Sequence, residues 1–159
     1  MNRTYCTIIL IDLDDGRLEV ARRFGATHTL NSADGRAAEA VLALTEGRGV
    51  DVAIEAVGVP ATFVLCQDIV APGGTIANIG VHGHPAELHL ERLWSHNVAI
   101  TTRLVDTVST PMLLKTVRSH KVDPARLITH RFRLDQVLDA YDTFARAAQT
   151  RALKVIIEV

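Results

Sequence analysis

The sequence predicts an α/β fold in which a mostly parallel, doubly wound sheet carries helices on both faces. Short continuous apolar runs, such as Ile8–Ile11, alternate with segments whose apolar residues recur every three or four positions. Continuous apolar runs are typical of strands buried on both faces, and three-to-four spacing is typical of helices. Asp12 directly follows the first run, which is where parallel strands commonly present ligand-binding groups.

This alternation assigns most of the chain to one predicted domain that covers residues 1–159. Gly25 is predicted to end the first helix, and Pro60 and Pro111 suit the first turns of later helices. Strands are predicted at Cys6–Asp12, Val50–Gly58, Thr75–Val81, Asn97–Val105 and 152–159, with at most a short extended piece at Thr27–Asn31. Helices are predicted at 15–24, 37–44 and 60–71, from Thr110 onward, and at 134–148.

Composition and charge argue against several classes of function. The chain has 159 residues, of which 17 are basic and 18 acidic, and no basic stripe marks a nucleic-acid or membrane partner. Cys6 and Cys66 form neither a disulfide framework nor a paired metal-ligand motif. No apolar run approaches the roughly 20 residues that span a bilayer, and the first run is too short for a signal peptide. We therefore expect a cytoplasmic protein.

Asp12 is the first candidate binding residue. In doubly wound domains that bind dinucleotides, an acidic residue at the end of a strand accepts hydrogen bonds from the adenosine ribose hydroxyls. Its charge also repels a 2′-phosphate and favours NAD over NADP, and Asp14 and Asp15 strengthen that field. The alternative is that Asp12 only begins a turn and caps the helix after it.

The glycine-rich turn that normally precedes such an acid by about 20 residues has no match in this sequence. Only eleven residues precede Asp12. Gly47 and Gly49 lie in a loop that leads into a strand, which is the opposite order to a phosphate-binding turn. They are predicted to form a plain turn.

Several longer segments are distinctive when they are taken in order. They read IDLDDGRLEVARRFGA, GVDVAIEAVG, APGGTIANIGV and, from Asn97 onward, NVAITTRLVDTVSTPMLLKTV, THRFRLDQVLDAYDTFARA and ALKVIIEV. From about Thr7 to Val159 the chain resembles the second half of zinc-dependent alcohol dehydrogenases of the medium-chain dehydrogenase/reductase family. The resemblance implies an incomplete Rossmann-like nucleotide-binding domain, with NAD as cofactor and zinc as the metal expected for the family.

The resemblance also implies cofactor-binding roles for individual residues. Asp12 matches the acid on the adenosine ribose, and Arg17 matches a basic residue that reaches the same ribose. The other matches are adenine contacts at Leu13 and Val57, the nicotinamide side at Ile79 and Gly80, the carboxamide at Thr101 or Thr102, and a basic residue near the pyrophosphate at Lys154. The plainer interpretation is packing for the apolar members and solvated surface charge for the basic ones.

The zinc ligands of the family have no match in this sequence. Family members carry an N-terminal catalytic domain with Cys, His and Glu ligands, and zinc catalysis needs about three protein ligands around an open site. His82 and His84 are close in sequence, but Cys6 and Cys66 are distant from them, so the two histidines are interpreted as solvent-facing. We therefore predict neither catalytic residues nor metal ligands in this chain.

The first strand and helix of the nucleotide-binding fold are also expected to be missing. In the usual order 3-2-1-4-5-6 the first strand is central, so Cys6–Asp12 and Thr75–Val81 are predicted to lack a shared neighbour. Each buried backbone group left unpaired costs about 1–3 kcal/mol. The two strands closing together, a partner chain and an upstream segment are all compatible with the sequence.

Three functions are compatible with these residues. The first is the cofactor-binding portion of an NAD-dependent alcohol dehydrogenase, which acts on an alcohol or polyol and is inactive without a separate chain that carries the catalytic half. The second is a non-catalytic remnant or an interaction module, with a homo-oligomer formed through the edge strand at about Val98–Arg103. The third is a different Rossmann enzyme, such as a methyltransferase, which leaves the matches from Ile79 to Lys154 unexplained.

Overall fold

The computed structural model describes residues 6–104 and 106–159. Backbone contacts divide the chain into two compact units, residues 1–105 and 106–159. Every strand pairing among the described residues is parallel. The predicted α/β class with parallel strands is therefore confirmed, while the single domain over residues 1–159 stays a prediction.

The first unit alternates strands and helices. Its strands are β1 (Ile9–Asp12), β2 (His28–Asn31), β3 (Val50–Glu55), β4 (Val70–Asn78) and β5 (Ala99–Thr102). Its helices are α1 (Asp15–Arg23), α2 (Ala37–Leu44), α3 (Pro60–Ile69) and a short α4 (Leu90–Leu93). β1 pairs with β2, and β4 lies between β3 and β5 in a second sheet.

Capping residues explain where α1 and α3 begin. The Asp14 side chain accepts a hydrogen bond from the Arg17 N–H at 2.9 Å and so satisfies one of the free donors at the start of α1. Gly25, with a φ of 105°, follows the end of α1 as predicted. Pro60 occupies the first turn of α3, where its missing N–H leaves no hydrogen bond unmade.

The core of the first unit is centred on β4. Ile76 on β4 and Val41 on α2 are both 0% exposed. The other buried members of this cluster are Ala53, Cys66, Ile69, Val70 and Leu93. Ile9 and Ile11 of β1 pack against the cluster while they remain partly exposed, so β1 is attached to the core through side chains.

The predicted position of the gap in the sheet was wrong. The predicted strand Thr75–Val81 corresponds to β4, which is paired on both sides. β3 (Val50–Glu55) is instead an outer strand of the second sheet, and its edge opposite β4 is unpaired among the described residues. β1 pairs with β2 and likewise has an unpaired edge, and within the described residues β1 and β3 do not pair with each other. The two strands have therefore not closed together.

Several element bounds also differ from the prediction. β2 is a regular strand where only a short extended piece was expected, because β1 supplies a partner in register along its whole length. β4 begins at Val70, so Pro72–Gly74 lies inside the strand, beside a register shift opposite β3. Both β3 and β4 end earlier than predicted. Val57 and Ile79 therefore lie in loops at the carboxyl ends of their strands.

The second unit contains α5 (Thr110–Arg118), β6 (Ile128–Arg133), α6 (Val137–Ala145), α7 (Ala147–Thr150) and β7 (Lys154–Glu158), and β6 pairs with β7. The helix predicted at 134–148 is divided into a 3-10 turn, α6 and α7. Ala140 on α6 is buried, whereas Leu138 and Tyr141 are 79% and 70% exposed. The large apolar side chains that predicted this helix are thus not part of the core of the described unit.

Candidate functional site

Asp12 lies at the carboxyl end of β1, as predicted for a ribose-binding acid. One carboxylate oxygen, Oδ1, accepts the Asp14 N–H at 3.0 Å, and the other, Oδ2, lies 3.9 Å from the guanidinium of Arg17. The Asp12 side chain is 29% exposed and the Arg17 side chain is 43% exposed. Asp12 therefore holds the turn before α1 with one oxygen and leaves the other open to a ligand.

The predicted adenine and nicotinamide contacts are exposed apolar side chains at strand ends. Leu13 is 69% exposed, Val57 is 65% exposed and Ile79 is 54% exposed. Core packing, the plainer interpretation of these residues, does not fit such exposure. Their exposure leaves these three apolar side chains able to contact a ligand or a partner.

Glu55 ends β3 and holds the loop that carries Val57. The residue is 1% exposed, although a buried carboxylate is rare without partners. Its Oε1 atom accepts the Val57 N–H at 2.9 Å, the Gly58 N–H at 2.8 Å and the Thr62 hydroxyl at 2.7 Å. One carboxylate oxygen thus fixes the loop after β3 and joins it to α3.

Glu55 also contacts the loop after β4. Its backbone carbonyl accepts the Ile79 N–H at 2.8 Å and the Gly80 N–H at 3.1 Å. Its second carboxylate oxygen, Oε2, lies 3.3 Å from Nε2 of His82, and the same Nε2 lies 2.9 Å from Oδ1 of Asn78. The structure therefore brings Val57, Ile79 and Gly80 together around one buried acid.

The charge of Glu55 follows from these contacts. Burial, the largest single influence, raises the pKa of this carboxyl group. Hydrogen bonds from Thr62, Gly58 and Val57, together with the nearby His82, outweigh burial, so the pKa of Glu55 lies below the ordinary glutamate value. Glu55 is therefore ionised at neutral pH.

Thr102 ends β5 and pairs in register with Asn78 of β4. Both residues line a cavity of about 270 Å³, together with Phe63, His82, Ala86, Leu88 and Ile100. Of the two threonines predicted near the carboxamide, Thr102 is therefore the one beside the His82 loop. Lys154 opens β7 in the second unit, where its side chain is exposed.

The residues that the structure describes do not form a zinc site. No group of three or more His, Cys, Asp or Glu side chains among them is arranged to hold a metal ion. His82 contacts Glu55 and Asn78, which corrects its interpretation as a solvent-facing histidine, whereas His84 is exposed. No helix in residues 6–104 or 106–159 is both long and apolar enough to cross a membrane.

Comparison with known proteins decides the family. The family model for zinc-binding dehydrogenases matches residues 4–117. An alcohol dehydrogenase from Cupriavidus necator is 39% identical over 158 residues, which are 96% of this chain and 42% of that protein. The chain belongs to the zinc-binding dehydrogenase family. The third alternative, a methyltransferase-like enzyme, is thereby ruled out.

Two further relatives of this zinc-binding dehydrogenase chain show its fold and the share of the longer proteins that it matches. The structure of zinc-dependent alcohol dehydrogenase 2 from Streptococcus pneumonia has a TM-score of 0.92 and 54% identity, covering 96% of this chain and 44% of that one. This match confirms the incomplete Rossmann-like, doubly wound fold. An NADP-dependent isopropanol dehydrogenase from Thermoanaerobacter brockii is 36% identical over 131 residues, 73% of this chain and 35% of that protein. The chain thus spans less than half the length of these relatives.

Sequence reasoning missed Glu55 and His82 in this zinc-binding dehydrogenase chain. A signal was present for Glu55, since it ends a buried apolar strand in VDVAIE just as Asp12 does in ILID. For His82 the sequence offered only the neighbouring His84, which suggested a metal motif. Its contacts with Glu55 and Asn78 come from the packing of two parallel strands and are not visible in the sequence.

Proposed function

We propose that this chain is the cofactor-binding portion of an NAD-dependent, zinc-type alcohol dehydrogenase that transfers hydride between an alcohol or polyol and NAD. The observation that carries the proposal is the position of Asp12 at the carboxyl end of a parallel strand, with one carboxylate oxygen open to a ligand and Arg17 beside it. A ribose presents two adjacent hydroxyls, and a carboxylate that accepts from them binds the adenosine end of a dinucleotide. Family membership supports the reaction class.

The exposed residues near the strand ends supply the other proposed contacts. Leu13 and Val57 would contact the adenine, Ile79 and Gly80 the nicotinamide side, and Thr102 the carboxamide, with Lys154 near the pyrophosphate. We propose NAD rather than NADP because the charge of Asp12 opposes a 2′-phosphate. The relative named as NADP-dependent makes NADPH the necessary comparison.

We further propose that this chain alone does not turn over alcohols. The residues that the structure describes contain no three-ligand group for zinc, and the Gly-rich phosphate turn has no match in the sequence. Alcohol activation and part of the phosphate contact would come from a separate chain that carries the catalytic half. We propose the cytoplasm as the location of this chain and of the separate chain.

Titration of NADH and NADPH into the purified chain, by calorimetry and nicotinamide fluorescence, tests the cofactor proposal. We expect NADH to bind more tightly than about 1 mM. Asp12→Ala should weaken NADH binding about tenfold through the lost charged hydrogen bonds, and should reduce the preference over NADPH. Asp34→Ala is the matched control, since Asp34 accepts an N–H two residues onward as Asp12 does. Absence of NADH binding to the wild-type chain would reject the proposal.

A second candidate, an interaction module, is favoured by one observation. β5 lies at the edge of its sheet, and all four of its residues, Ala99–Thr102, are exposed. An exposed parallel edge favours pairing with a second copy across a twofold axis. Sedimentation equilibrium should then show a dimer that Ile100→Lys dissociates. A monomer at all concentrations would reject this homo-oligomer.

A further inference from the structure

We propose that Glu55 is a positioning residue for cofactor binding, which holds the loop 56–59 and the loop 79–82 in one arrangement with the help of His82. The inference rests on the proposed function, because that function places the adenine at Val57 and the nicotinamide side at Ile79 and Gly80. Glu55 itself is buried and touches neither ring in this scheme. It acts through the backbone of both loops.

The two loops are in direct contact at two glycines. Gly58 has a φ of 85°, and a Cβ atom placed on it would overlap the backbone of Val81. A Cβ atom placed on Gly80 would overlap Oε2 of Glu55 and the backbone N of Gly58. Backbone therefore packs against backbone, so a displacement of one loop must displace the other.

Glu55 receives hydrogen bonds from both loops through different atoms. Oε1 holds the N–H groups of Val57 and Gly58, and the backbone carbonyl holds those of Ile79 and Gly80. Four amides of two loops thus end on one residue. If these were two unrelated local turns, a change at the carboxylate would leave the amides of Ile79 and Gly80 unaffected.

His82 connects the carboxylate to the second loop. Its Nε2 faces two oxygens, Oδ1 of Asn78 and Oε2 of Glu55, and therefore carries the hydrogen. The ring packs edge-on against Phe63, with ring centroids 6.1 Å apart, which fixes its orientation. Among the described residues, Oε2 is buried without a hydrogen-bond partner, so the His82 N–H is the polar group that faces this charge. Removing that N–H leaves a buried carboxylate oxygen with no compensating group.

Amide hydrogen exchange at Val57, Gly58, Ile79 and Gly80 measures the coupling directly. His82→Phe keeps a flat ring, removes the N–H, and alters none of the four amide hydrogen bonds. We expect it to speed exchange at Val57 and Gly58 about tenfold. Glu55→Gln should speed exchange by a similar factor at Ile79 and Gly80, whose carbonyl acceptor it leaves in place.

Gln67→Met is the matched control for these variants. Gln67 is 5% exposed and ties α3 to a different loop, with hydrogen bonds to Glu87 and His89. It should change neither amide pair relative to the core amide of Ile76. Exchange that changes only at the amides touching the substituted atoms would overturn the proposal. Should Glu55→Gln not fold, His82→Phe decides alone, because the His82 side chain is 19% exposed and its loss is tolerated more easily.

Binding of NADH and AMP separates positioning from mere stability. AMP engages only the adenosine end and so contacts only the loop that carries Val57, whereas NADH contacts both loops, so His82→Phe should weaken NADH about tenfold and AMP by a smaller factor. Coupled exchange with unchanged NADH affinity would overturn the positioning role and leave the proposed function intact. No NADH binding by the wild-type chain would overturn the proposed function and the cofactor role of Glu55 together, and the exchange data would still decide whether the loops are coupled.

Discussion

Asp12 and Glu55 occupy equivalent places in the fold, yet their surroundings are opposite. Each ends a parallel strand of the first unit. The side chain of Asp12 is 29% exposed and accepts one backbone N–H, whereas that of Glu55 is 0% exposed and accepts two N–H groups and a hydroxyl. The comparison teaches that an acid at the end of a strand can serve either ligand binding or the fold. An acid that accepts few hydrogen bonds from the protein, such as Asp12, keeps an oxygen open to a ligand, whereas an acid that accepts several, such as Glu55, holds neighbouring segments together.

Replacing each of the two acids with alanine should give the largest difference in the free energy of unfolding. Glu55→Ala leaves the N–H groups of Val57 and Gly58 without their acceptor and should lower the free energy of unfolding of the first unit by about 4 kcal/mol. Asp12→Ala should cost about 1 kcal/mol or less, because water replaces its contacts. Chemical denaturation followed by circular dichroism measures both, with exchange at the Ile76 amide assigning the change to this unit. Equal losses in the free energy of unfolding for the two variants would contradict a structural role for Glu55.

A methyl group added near each strand end, at Gly80 and at Gly16, should give a smaller but similar contrast in the free energy of unfolding. Gly80→Ala forces a Cβ atom into Glu55 and Gly58 and should cost about 3 kcal/mol. Gly16→Ala places a Cβ atom 3.0 Å from Oδ1 of Asp14, an exposed side chain that is able to move. Because Gly16 lies within α1, alanine there should stabilise by up to about 1 kcal/mol. A tolerated Gly80→Ala would show that the region around Glu55 has room.

Much of the fold follows from local pattern in the sequence. Each predicted strand overlaps an observed one, and Gly25 and Pro60 lie at helix ends as predicted. The residue that caps α1 is Asp14, whereas the sequence suggested Asp12 as the alternative cap. β6 was missed because ITHRFR mixes charged residues into its exposed positions, a pattern that resembles a loop. The gap in the sheet was assigned to the wrong strand, since the order of strands depends on crossovers that no local pattern encodes.

The candidate site was only partly predictable for the same reason. Asp12, Leu13 and Arg17 are neighbours in sequence, so their grouping at the end of β1 could be anticipated. The contacts of Glu55 with Thr62 and His82 join α3 to the loop after β4, and they exist only after β3 and β4 pair. The position at the end of a strand identifies both carboxylates from the sequence. The number of hydrogen-bond donors around each carboxylate is known only from the structure.

The dependence of stability on pH should also distinguish Glu55. Its pKa is lower in the folded chain than the ordinary value, so its contribution is fully present above the unfolded pKa and is lost as pH falls through the folded pKa. The difference in unfolding free energy between wild type and Glu55→Gln should be constant from pH 8 to 6 and should shrink below about pH 4.3. For Gln67→Met the difference should not vary with pH. A Glu55→Gln difference that is flat to pH 3 would contradict the lowered pKa.

Cys66 should report the charge of Glu55 through a smaller effect. Burial, followed by the negative charge of Glu55, raises the pKa of the Cys66 thiol to about 11. In a Cys6→Ser background, which removes the exposed thiol, alkylation of Cys66 should be slow at pH 8 and rise with the thiolate fraction. Glu55→Gln should move the rise to lower pH, and Asp12→Asn should leave it in place.

The shape of this pH profile separates charge from loosening of the structure. A variant that only opens the core increases access to Cys66, and the rate of alkylation then rises by one factor at every pH. Loss of the Glu55 charge instead moves the midpoint and leaves the plateau at high pH unchanged, because the rate there no longer depends on the thiolate fraction. Since burial is the larger cause, the midpoint should remain above that of an ordinary cysteine even in Glu55→Gln. A profile that rises uniformly without a shift would show that the charge of Glu55 does not act on Cys66, and that the two strand-end acids differ less than their contacts indicate.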